Sequence, residues 1–461
     1  MDAKEARRRK ILTEPLMPLL IKTSVPTIIG MLVSVIYNLT DTFFVGLLNN
    51  RSMTAAVGVV FSFVSVIQAI GFWYGYGSGN VMAKRIGEKN YKEAEIVSAV
   101  GIGLAAVSGL VIMIFAQVFI LPLAGLIGGN ASENVLTYTS QYLRLIILSI
   151  PFSLYGITLY NQLRLCGNVK DGMLGLLAGM LSNMALDPIL MFGLGMGFLG
   201  AGYATLAGQV IGCVVLTWLA EKNGNIPVRL GKAKYKRERI YHILAGGMPN
   251  FSRQAITSAA LVLLNAIAAQ YGESMIAALT VSAKVAALAY MIMIGWGQGF
   301  QPICAMNYGA GQYDRVKKAF QLTVWTGTVF LILASAVLYV FAGQFIQMLS
   351  KNSEVVFIGI RILRMQCLTM PLLGFLAVSS MFMQNTGQYF WALLISSSRQ
   401  GIFYIPLLYL LPALYGRLSI CLIQPVSDFL SFILAVAVVG RRYAKIFEQG
   451  SLLSGQSGRA E

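Results

Sequence analysis

Long apolar runs alternate with short polar segments along the whole chain. About twelve runs reach the roughly 20 residues that a helix needs to cross about 30 Å of hydrocarbon. The ten-residue segments of alternating polarity that are typical of membrane β-strands are missing, so the pattern predicts helices. The predicted spans are 17–45, 53–78, 96–121, 135–160, 171–193, 198–220, 240–269, 276–303, 318–342, 355–383, 391–412 and 418–440.

Composition supports this assignment. Hydrophobic residues make up 57% of the 461 residues, only 11% are charged, and the mean hydropathy is +0.70. Soluble domains contain about 25% charged residues. The chain is therefore predicted to be an all-α, multi-pass membrane protein whose surroundings are the lipid bilayer.

The basic residues predict the orientation. Most of the 35 Lys and Arg residues lie near the two ends of the chain or in loops that follow even-numbered spans, whereas the opposite loops hold only Arg51, Lys351 and Arg417. By the positive-inside rule both termini are expected in the cytoplasm, and we expect the plasma (cytoplasmic, inner) membrane. The net charge of +17 thus reflects topology. It does not indicate nucleic-acid binding, because the charges are scattered over short loops.

The chain also contains an internal repeat. Residues 75–91 align without a gap with residues 297–313, pairing glycines, an alanine and a tyrosine at a shift of 222 residues. Pro26 lies at almost the same shift from Pro249. Because each half contains an even number of spans, both halves are expected to insert with the same orientation.

The repeat and the charge pattern predict five regions. Two lobes of six helices are expected to flank a central cleft, in which a transported molecule would bind. The regions are a cytoplasmic N-terminus (1–16), an N-lobe (17–220), a basic cytoplasmic linker (221–239), a C-lobe (240–440) and a cytoplasmic C-terminal tail (441–461).

Two aspartates, Asp41 and Asp187, are flanked by apolar sequence. A charge in the hydrocarbon core costs a few kcal/mol or more, so such residues usually mark ion or proton handling. Asn183 shares a helix face with Asp187, and a rise of about 1.5 Å per residue places both aspartates and Thr205 in the outer half of the membrane. We predict one polar pocket in the first lobe. A buried cluster that only ties helices together is the alternative.

Such a pocket would bind only one positively charged species at a time. Desolvation and mutual repulsion favour protonated carboxyl groups, and proton loss leaves a charge that attracts a cation. A proton, Na⁺ and a cationic substrate could then compete for it. Pro188 follows Asp187 and can free a backbone carbonyl, and Pro26 gives the first helix a second hinge candidate. A static kink is the alternative for Pro26.

The residues resemble the Multidrug And Toxic compound Extrusion (MATE) family, in its DinF-like and MepA-like branch, along essentially the whole chain. The resemblance implies two six-helix lobes around a cleft, export driven by inward flow of H⁺ or Na⁺, and no cofactor besides that ion. It also implies an N-lobe proton or Na⁺ site at Asp41, Asn183, Asp187 and Thr205, with bending of the first helix when Asp41 is neutralised. It rests on the motifs PTIIGMLVSVIYNLTDTFFVG, AKRIGEKNYKEA, NQLRLCGN and LDPILMFGLGMGFLGAGYATLAGQ.

The second lobe lacks these acids. Leu264 stands at the repeat position of Asp41, and Leu407 stands near that of Asp187. Other branches of the family carry acids in the seventh and tenth helices, and the corresponding spans here have none. This difference argues against a sodium site of that kind in the C-lobe.

Other charged residues of the second lobe are ambiguous in the sequence. Asp428 is expected to pair with Arg399 or with Lys284, either as a structural ion pair or in an ion role. Arg253 in the seventh span has the same two interpretations.

The predicted function is antiport of amphipathic, often cationic organic compounds or drugs by a monomer. A flippase for lipid-linked oligosaccharides or lipids is the alternative, disfavoured because no Arg-rich cavity is visible; a non-transporting scaffold or receptor is disfavoured by the duplicated halves. An enzyme is not expected, because dispersed cysteines, one histidine and no nucleophile and base pair argue against catalysis and metal binding. The candidate substrate contacts are Tyr37, Asn38, Gln68 and Asn161.

Overall fold

The computed structural model describes residues 3–457, apart from the side chains at 38, 131, 417, 418 and 449–457. The described residues form helices joined by short loops, which confirms the all-α prediction. The helices of the first half are α1 (Ala3–Thr13), α2 (Leu16–Gly46), α3 (Arg51–Gly87), α4 (Tyr91–Val118), α5 (Ile120–Leu126), α6 (Glu133–Leu165), α7 (Val169–Pro188) and α8 (Phe198–Glu221). Those of the second half are α9 (Arg237–Ala269), α10 (Glu273–Gly309), α11 (Tyr313–Val340), α12 (Ala342–Leu349), α13 (Ser353–Thr369), α14 (Leu372–Asn385), α15 (Tyr389–Ser397), α16 (Tyr404–Tyr415) and α17 (Ile420–Ser457).

Every predicted span coincides with helical structure. Ten helices among the described residues are long and apolar enough to cross a membrane, and α13 with α14 forms one more span bent by 56°. Pro371 stands at this bend, where proline cannot donate the next helical hydrogen bond. The remaining predicted span, 391–412, is divided between α15 and α16 by a π-helical turn at Ser398–Ile402.

The chain folds into two compact units. Unit 1 contains the residues up to Ile11 together with Ile29–Gly247, and unit 2 contains Leu12–Ile28 together with the residues from Met248 onward. Helices α2 and α9 therefore each belong partly to one unit and partly to the other. The two predicted lobes, 17–220 and 240–440, are instead continuous along the chain. Their boundaries stay a prediction.

In unit 2, the first half of α2 packs against α10. The Thr23 hydroxyl donates to the Gly299 carbonyl oxygen at 2.9 Å, and the Ser24 hydroxyl donates to the Trp296 carbonyl oxygen at 3.1 Å. A Cβ atom on Gly299 would lie only 2.6 Å from the Ser24 nitrogen. A glycine is required at this crossing, since any side chain would separate the helices.

In unit 1, the first half of α9 packs against α3 in a similar way. Trp73 Nε1 donates to the Leu244 carbonyl oxygen at 2.7 Å, and a Cβ atom on Gly77 would collide with the backbone of Ile243. The sequence repeat pairs Gly77 with Gly299. Both halves thus use an equivalent glycine for an equivalent helix crossing.

One long helix organises each unit. Helix α6 packs against α3, α4, α7 and α8 in unit 1, and α10 packs against α11, α13 and α14 in unit 2. The unit 1 core includes Leu143, Ile147 and Leu154 of α6, which are almost completely buried. Helices α7 and α8 also pack closely against each other, and this pair carries the polar residues considered next.

Candidate functional site

Glycines allow α7 and α8 to approach each other closely. A Cβ atom on Gly208 would lie 2.8 Å from the Asn183 Cβ atom and 2.8 Å from the Gly179 carbonyl oxygen. A Cβ atom on Gly212 would lie 3.2 Å from the Gly179 Cα atom. Without side chains at these positions, the polar residues one turn away can meet.

The meeting residues are Asn183 and Asp187 on α7 and Thr205 on α8. Asn183 Nδ2 donates to Thr205 Oγ1 at 3.3 Å, and the Thr205 hydroxyl donates to the Ala201 carbonyl oxygen at 3.0 Å. Asn183 is 2% exposed and Asp187 is fully buried. The four-residue spacing of Asn183 and Asp187 places both on the buried side of α7.

Helix α2 brings Asp41 and Tyr37 to the same group. The Asp41 carboxylate interacts electrostatically with that of Asp187, and the Tyr37 hydroxyl interacts with both carboxylates and with Thr205. Tyr142 of α6 makes the same set of interactions. Sequence reasoning missed Tyr142, because its local sequence does not distinguish it from the other 20 tyrosines of the chain.

Several oxygen atoms of this group are unsatisfied. Both Asp187 carboxylate oxygens, Asp41 Oδ1 and Asn183 Oδ1 are buried and accept no hydrogen bond from the described residues. No ion pair formed by a described Lys, Arg or His includes either carboxylate. Buried polar atoms are normally paired, and isolated buried carboxylates are strongly disfavoured. The arrangement is therefore suited to take up a proton or a small cation.

The donor set is compatible with Na⁺ but not with a transition-metal centre. The described residues contain no group of three or more His, Cys, Asp or Glu side chains that could bind a metal ion. Two carboxylates with neutral oxygens from Asn183 and Thr205 form an all-oxygen set, which suits hard cations.

Pro188 marks a change of helix type next to this group. Helix α7 ends at Pro188, and Ile189–Gly193 forms a π-helical turn in which the Leu194 nitrogen donates to the Ile189 carbonyl oxygen at 2.8 Å. Proline removes one helical donor, and π-helical turns occur frequently at functional sites. Pro26 lies inside α2. Whether either proline acts as a hinge stays a prediction.

Two other predicted contacts, Asn161 and Gln68, form no described hydrogen bond with the carboxylates. Asn161 is fully buried, donates to the Ile157 carbonyl oxygen at 2.8 Å and accepts from Arg164 at 3.1 Å. Gln68 is half-buried on α3, and no described hydrogen bond joins it to the group. The Asn38 side chain lies outside the described residues. Of the three candidate contacts whose side chains are described, Tyr37 is the one that interacts with the two aspartates.

The polar residues of unit 2 are arranged differently. Arg399 Nε donates to Asp428 Oδ1 at 2.7 Å, and Gln424 Nε2 donates to the same oxygen at 2.6 Å. Arg399 lies on the π-helical turn between α15 and α16, and its guanidinium stacks on the Tyr290 ring at 4.7 Å. Of the two partners that the sequence allowed for Asp428, the structure selects Arg399.

Apolar helices of membrane length, a duplicated architecture and buried carboxylates together define a multi-pass membrane transporter rather than an enzyme. The family model described as MatE matches residues 26–189 and 249–410, one match in each half. The chain belongs to the MATE family.

Relatives of known name agree with this assignment. The chain is 27% identical over 417 residues to the multidrug export protein MepA of Staphylococcus haemolyticus, covering 90% of this chain and 91% of that protein. It is 27% identical over 428 residues to MepA of Staphylococcus aureus (strain NCTC 8325 / PS 47), covering 92% and 94%.

Solved structures show the same fold. A MATE transporter in the bent conformation matches with a TM-score of 0.89 and 22% identity over 98% of this chain and 99% of that one. A MOP superfamily transporter from Pyrococcus furiosus, described as having a binding pocket of reverse polarity, matches with a TM-score of 0.87 and 23% identity over 95% and 98%.

Proposed function

We propose that the protein is a cation-coupled antiporter that exports amphipathic, often cationic organic compounds by alternating access across the plasma membrane. The coupling residues are Asp41, Asn183, Asp187 and Thr205, and both termini face the cytoplasm. The observation that carries the proposal is the set of buried carboxylate oxygens to which no described residue donates. A membrane protein that needed only a structural contact there would function with neutral side chains.

Coupling follows from exclusive occupancy. Binding of protons or Na⁺ reduces the negative charge of the two carboxylates, which stabilises the group in its apolar surroundings. When the ion leaves, the uncompensated charge favours entry of a cationic substrate or of the next ion. Asp41 and Asp187 lie on different helices, α2 and α7, so occupancy changes the attraction between those helices.

The substrate class follows from the surroundings of the carboxylates. Tyr37 and Tyr142 supply aromatic rings next to the negative charges. Aromatic faces and carboxylates both attract organic cations, and the apolar parts of such compounds suit a cavity in the membrane. The staphylococcal relatives are named as multidrug export proteins, which agrees with this class.

The test is ethidium transport into inverted membrane vesicles, with proton and Na⁺ gradients imposed separately. We expect wild-type accumulation with at least one gradient and none with Asp187→Asn, because an amide cannot release a proton or a bound cation in exchange. Asp314→Asn is the matched control, since the Asp314 side chain is 91% exposed in unit 2. Wild-type accumulation by the Asp187→Asn variant would refute the proposed coupling site.

A further inference from the structure

Unit 2 contains a cavity of about 360 Å³. None of the proposed coupling residues lines it. Its wall comes from α9, α10, α13, α14, α15, the π-helical turn at Ser398–Ile402, α16 and α17. A volume of this size accommodates a small organic molecule.

Three charged side chains line this cavity, and only one of them is acidic. They are Arg253, Arg399 and Asp428. Asp428 is already saturated, because Arg399 and Gln424 donate to Oδ1 and the Thr369 hydroxyl lies 3.4 Å from Oδ2. The pair formed by Arg399 and Asp428 therefore has no net charge. The cavity wall carries one net positive charge, that of Arg253.

Arg253 has no such partner among the described residues. No described acidic side chain forms an ion pair with it, and its guanidinium makes no hydrogen bond to a described residue. It lies one turn beyond Pro249 in the middle of α9, inside a predicted membrane span. A guanidinium at such a position normally pairs with an anion or faces a water-filled cavity.

Amide groups of the cavity wall add both donors and acceptors. Gln400 Nε2 donates to Gln424 Oε1 at 3.2 Å, whereas Gln366 Oε1 is buried and accepts no hydrogen bond from the described residues. The remaining wall is largely apolar. It includes Leu264, Leu279, Ile294, Met370 and Leu373.

We propose that this cavity is a binding site for an amphipathic organic carboxylate. The carboxylate would pair with Arg253, for which a guanidinium offers a planar, bidentate donor fork. The apolar body would contact the aliphatic wall, and a hydroxyl or amide donor on the ligand would satisfy Gln366 Oε1. The site lies in the other half of the chain from the proposed coupling residues and goes beyond the function proposed above.

An organic cation fits this cavity less well than an organic carboxylate does. The only carboxylate in the wall is occupied by Arg399, and Arg253 would repel a second positive charge. The sign of the lining charge is thus opposite to that of the coupling residues. Unit 2 selects for anions where unit 1 selects for cations.

The test is equilibrium dialysis of the full-length protein in phosphatidylcholine nanodiscs against 1-pyrenebutyrate, with binding to empty discs subtracted. The neutral amide, 1-pyrenebutanamide, serves as the matched ligand. We expect the wild-type protein to bind the acid about tenfold or more tightly than the amide, because hydrogen bonds to charged groups are the stronger ones. Equal affinity for the two ligands would overturn the proposal.

Variants locate the binding on Arg253. Arg253→Gln should weaken 1-pyrenebutyrate binding about tenfold and leave the amide unaffected, while Arg253→Lys should retain most of the affinity. Arg364→Gln is the control: Arg364 is exposed in the same unit, and its Nε donates to the Tyr339 carbonyl oxygen at 3.3 Å. Unchanged binding by Arg253→Gln would refute the assignment.

Competition distinguishes two sources of the anion. Dodecanoate should displace the bound probe from the wild-type protein. Displacement by dihexanoylphosphatidylglycerol but not by dodecanoate would assign the cavity to a lipid phosphate and overturn the carboxylate proposal. Because dialysis needs no ion gradient, the result does not depend on whether the proposed coupling site works.

Discussion

The two halves of the chain share a fold but hold opposite polar groups. Unit 1 brings together Asp41 and Asp187, whose buried oxygens receive no hydrogen bond from described residues. The cavity of unit 2 is lined by one carboxylate, Asp428, to which Arg399, Gln424 and Thr369 donate, and by an additional arginine, Arg253. Duplication has therefore conserved helix crossings, such as those at Gly77 and Gly299, while the chemistry of the interior diverged.

The largest expected effect is loss of export, and we expect it when a carboxylate of unit 1 is replaced. Asp41→Asn removes one of the two exchangeable carboxylates, and we expect ethidium accumulation in vesicles to fall to the level of membranes without the transporter. The protein should remain inserted and folded, because no described side chain depends on the Asp41 Oδ1 atom. Unfolding of this variant at the wild-type expression temperature would instead assign Asp41 a structural role.

Loss of stability is the expected effect in unit 2. Asp428→Asn leaves the Arg399 guanidinium, which is 19% exposed, without its counter-charge, and removing one partner of a largely buried ion pair costs up to about 3–5 kcal/mol. Denaturant unfolding in detergent measures the effect. The double variant with Arg399→Met should recover most of the loss, since removing both charges leaves none uncompensated. If Asp428→Asn were as stable as the wild type, the contrast between the halves would disappear.

A smaller effect tests the close approach of α7 and α8. In Gly208→Ala the new methyl group would meet the Asn183 Cβ atom and the Gly179 carbonyl oxygen, each at 2.8 Å. Overpacking of this kind costs about 1–3 kcal/mol, and the displaced Asn183 should weaken ethidium export. Gly58→Ala is the control: no atom lies within 4 Å of its added Cβ, so stability should stay equal or rise.

The smallest effect concerns the contact between Asn183 and Thr205. Thr205→Val removes the hydroxyl that accepts from Asn183 Nδ2 at 3.3 Å, a loss of about 1 kcal/mol. We expect roughly a fivefold rise in the concentration of coupling ion needed for half-maximal export. Thr205→Ser retains the hydroxyl and should behave as wild type. If Thr205→Val and Thr205→Ser needed the same ion concentration for half-maximal export, Thr205 would not be a residue of the coupling site.

The sequence predicts much of the architecture because lipid imposes strong constraints. Every segment predicted from hydropathy coincides with helical structure, and ten helices of the described chain, with one bent pair, are long and apolar enough to cross a membrane, since each segment must satisfy its backbone within itself. Asp41, Asn183, Asp187 and Thr205 stood out for a similar reason: polar groups in apolar helices are costly and therefore rare.

Tertiary packing accounts for what the sequence did not reveal. Tyr142 joins the aspartates only because α6 packs beside α8, and no local pattern encodes that contact. The partner of Asp428 required coordinates, since Arg399 and Lys284 were equally compatible with spacing alone. The π-helical turns after Pro188 and at Ser398–Ile402 depend on how their flanking helices pack, and hydropathy contains no signal for them.

The unpartnered Asp41 also has a consequence for biogenesis. Helix α2 leaves the ribosome before α7 and α8 exist, so Asp41 enters the bilayer without the helices that later surround it. Insertion of an Asp costs at most roughly 2.5–3.5 kcal/mol, the value for the centre of a membrane helix, and Asp41 lies near the end of α2. The apolar remainder of α2 offsets this cost. Protonation of the nascent segment would reduce this cost further. The acid that we propose for energy coupling is thus compatible with insertion one helix at a time.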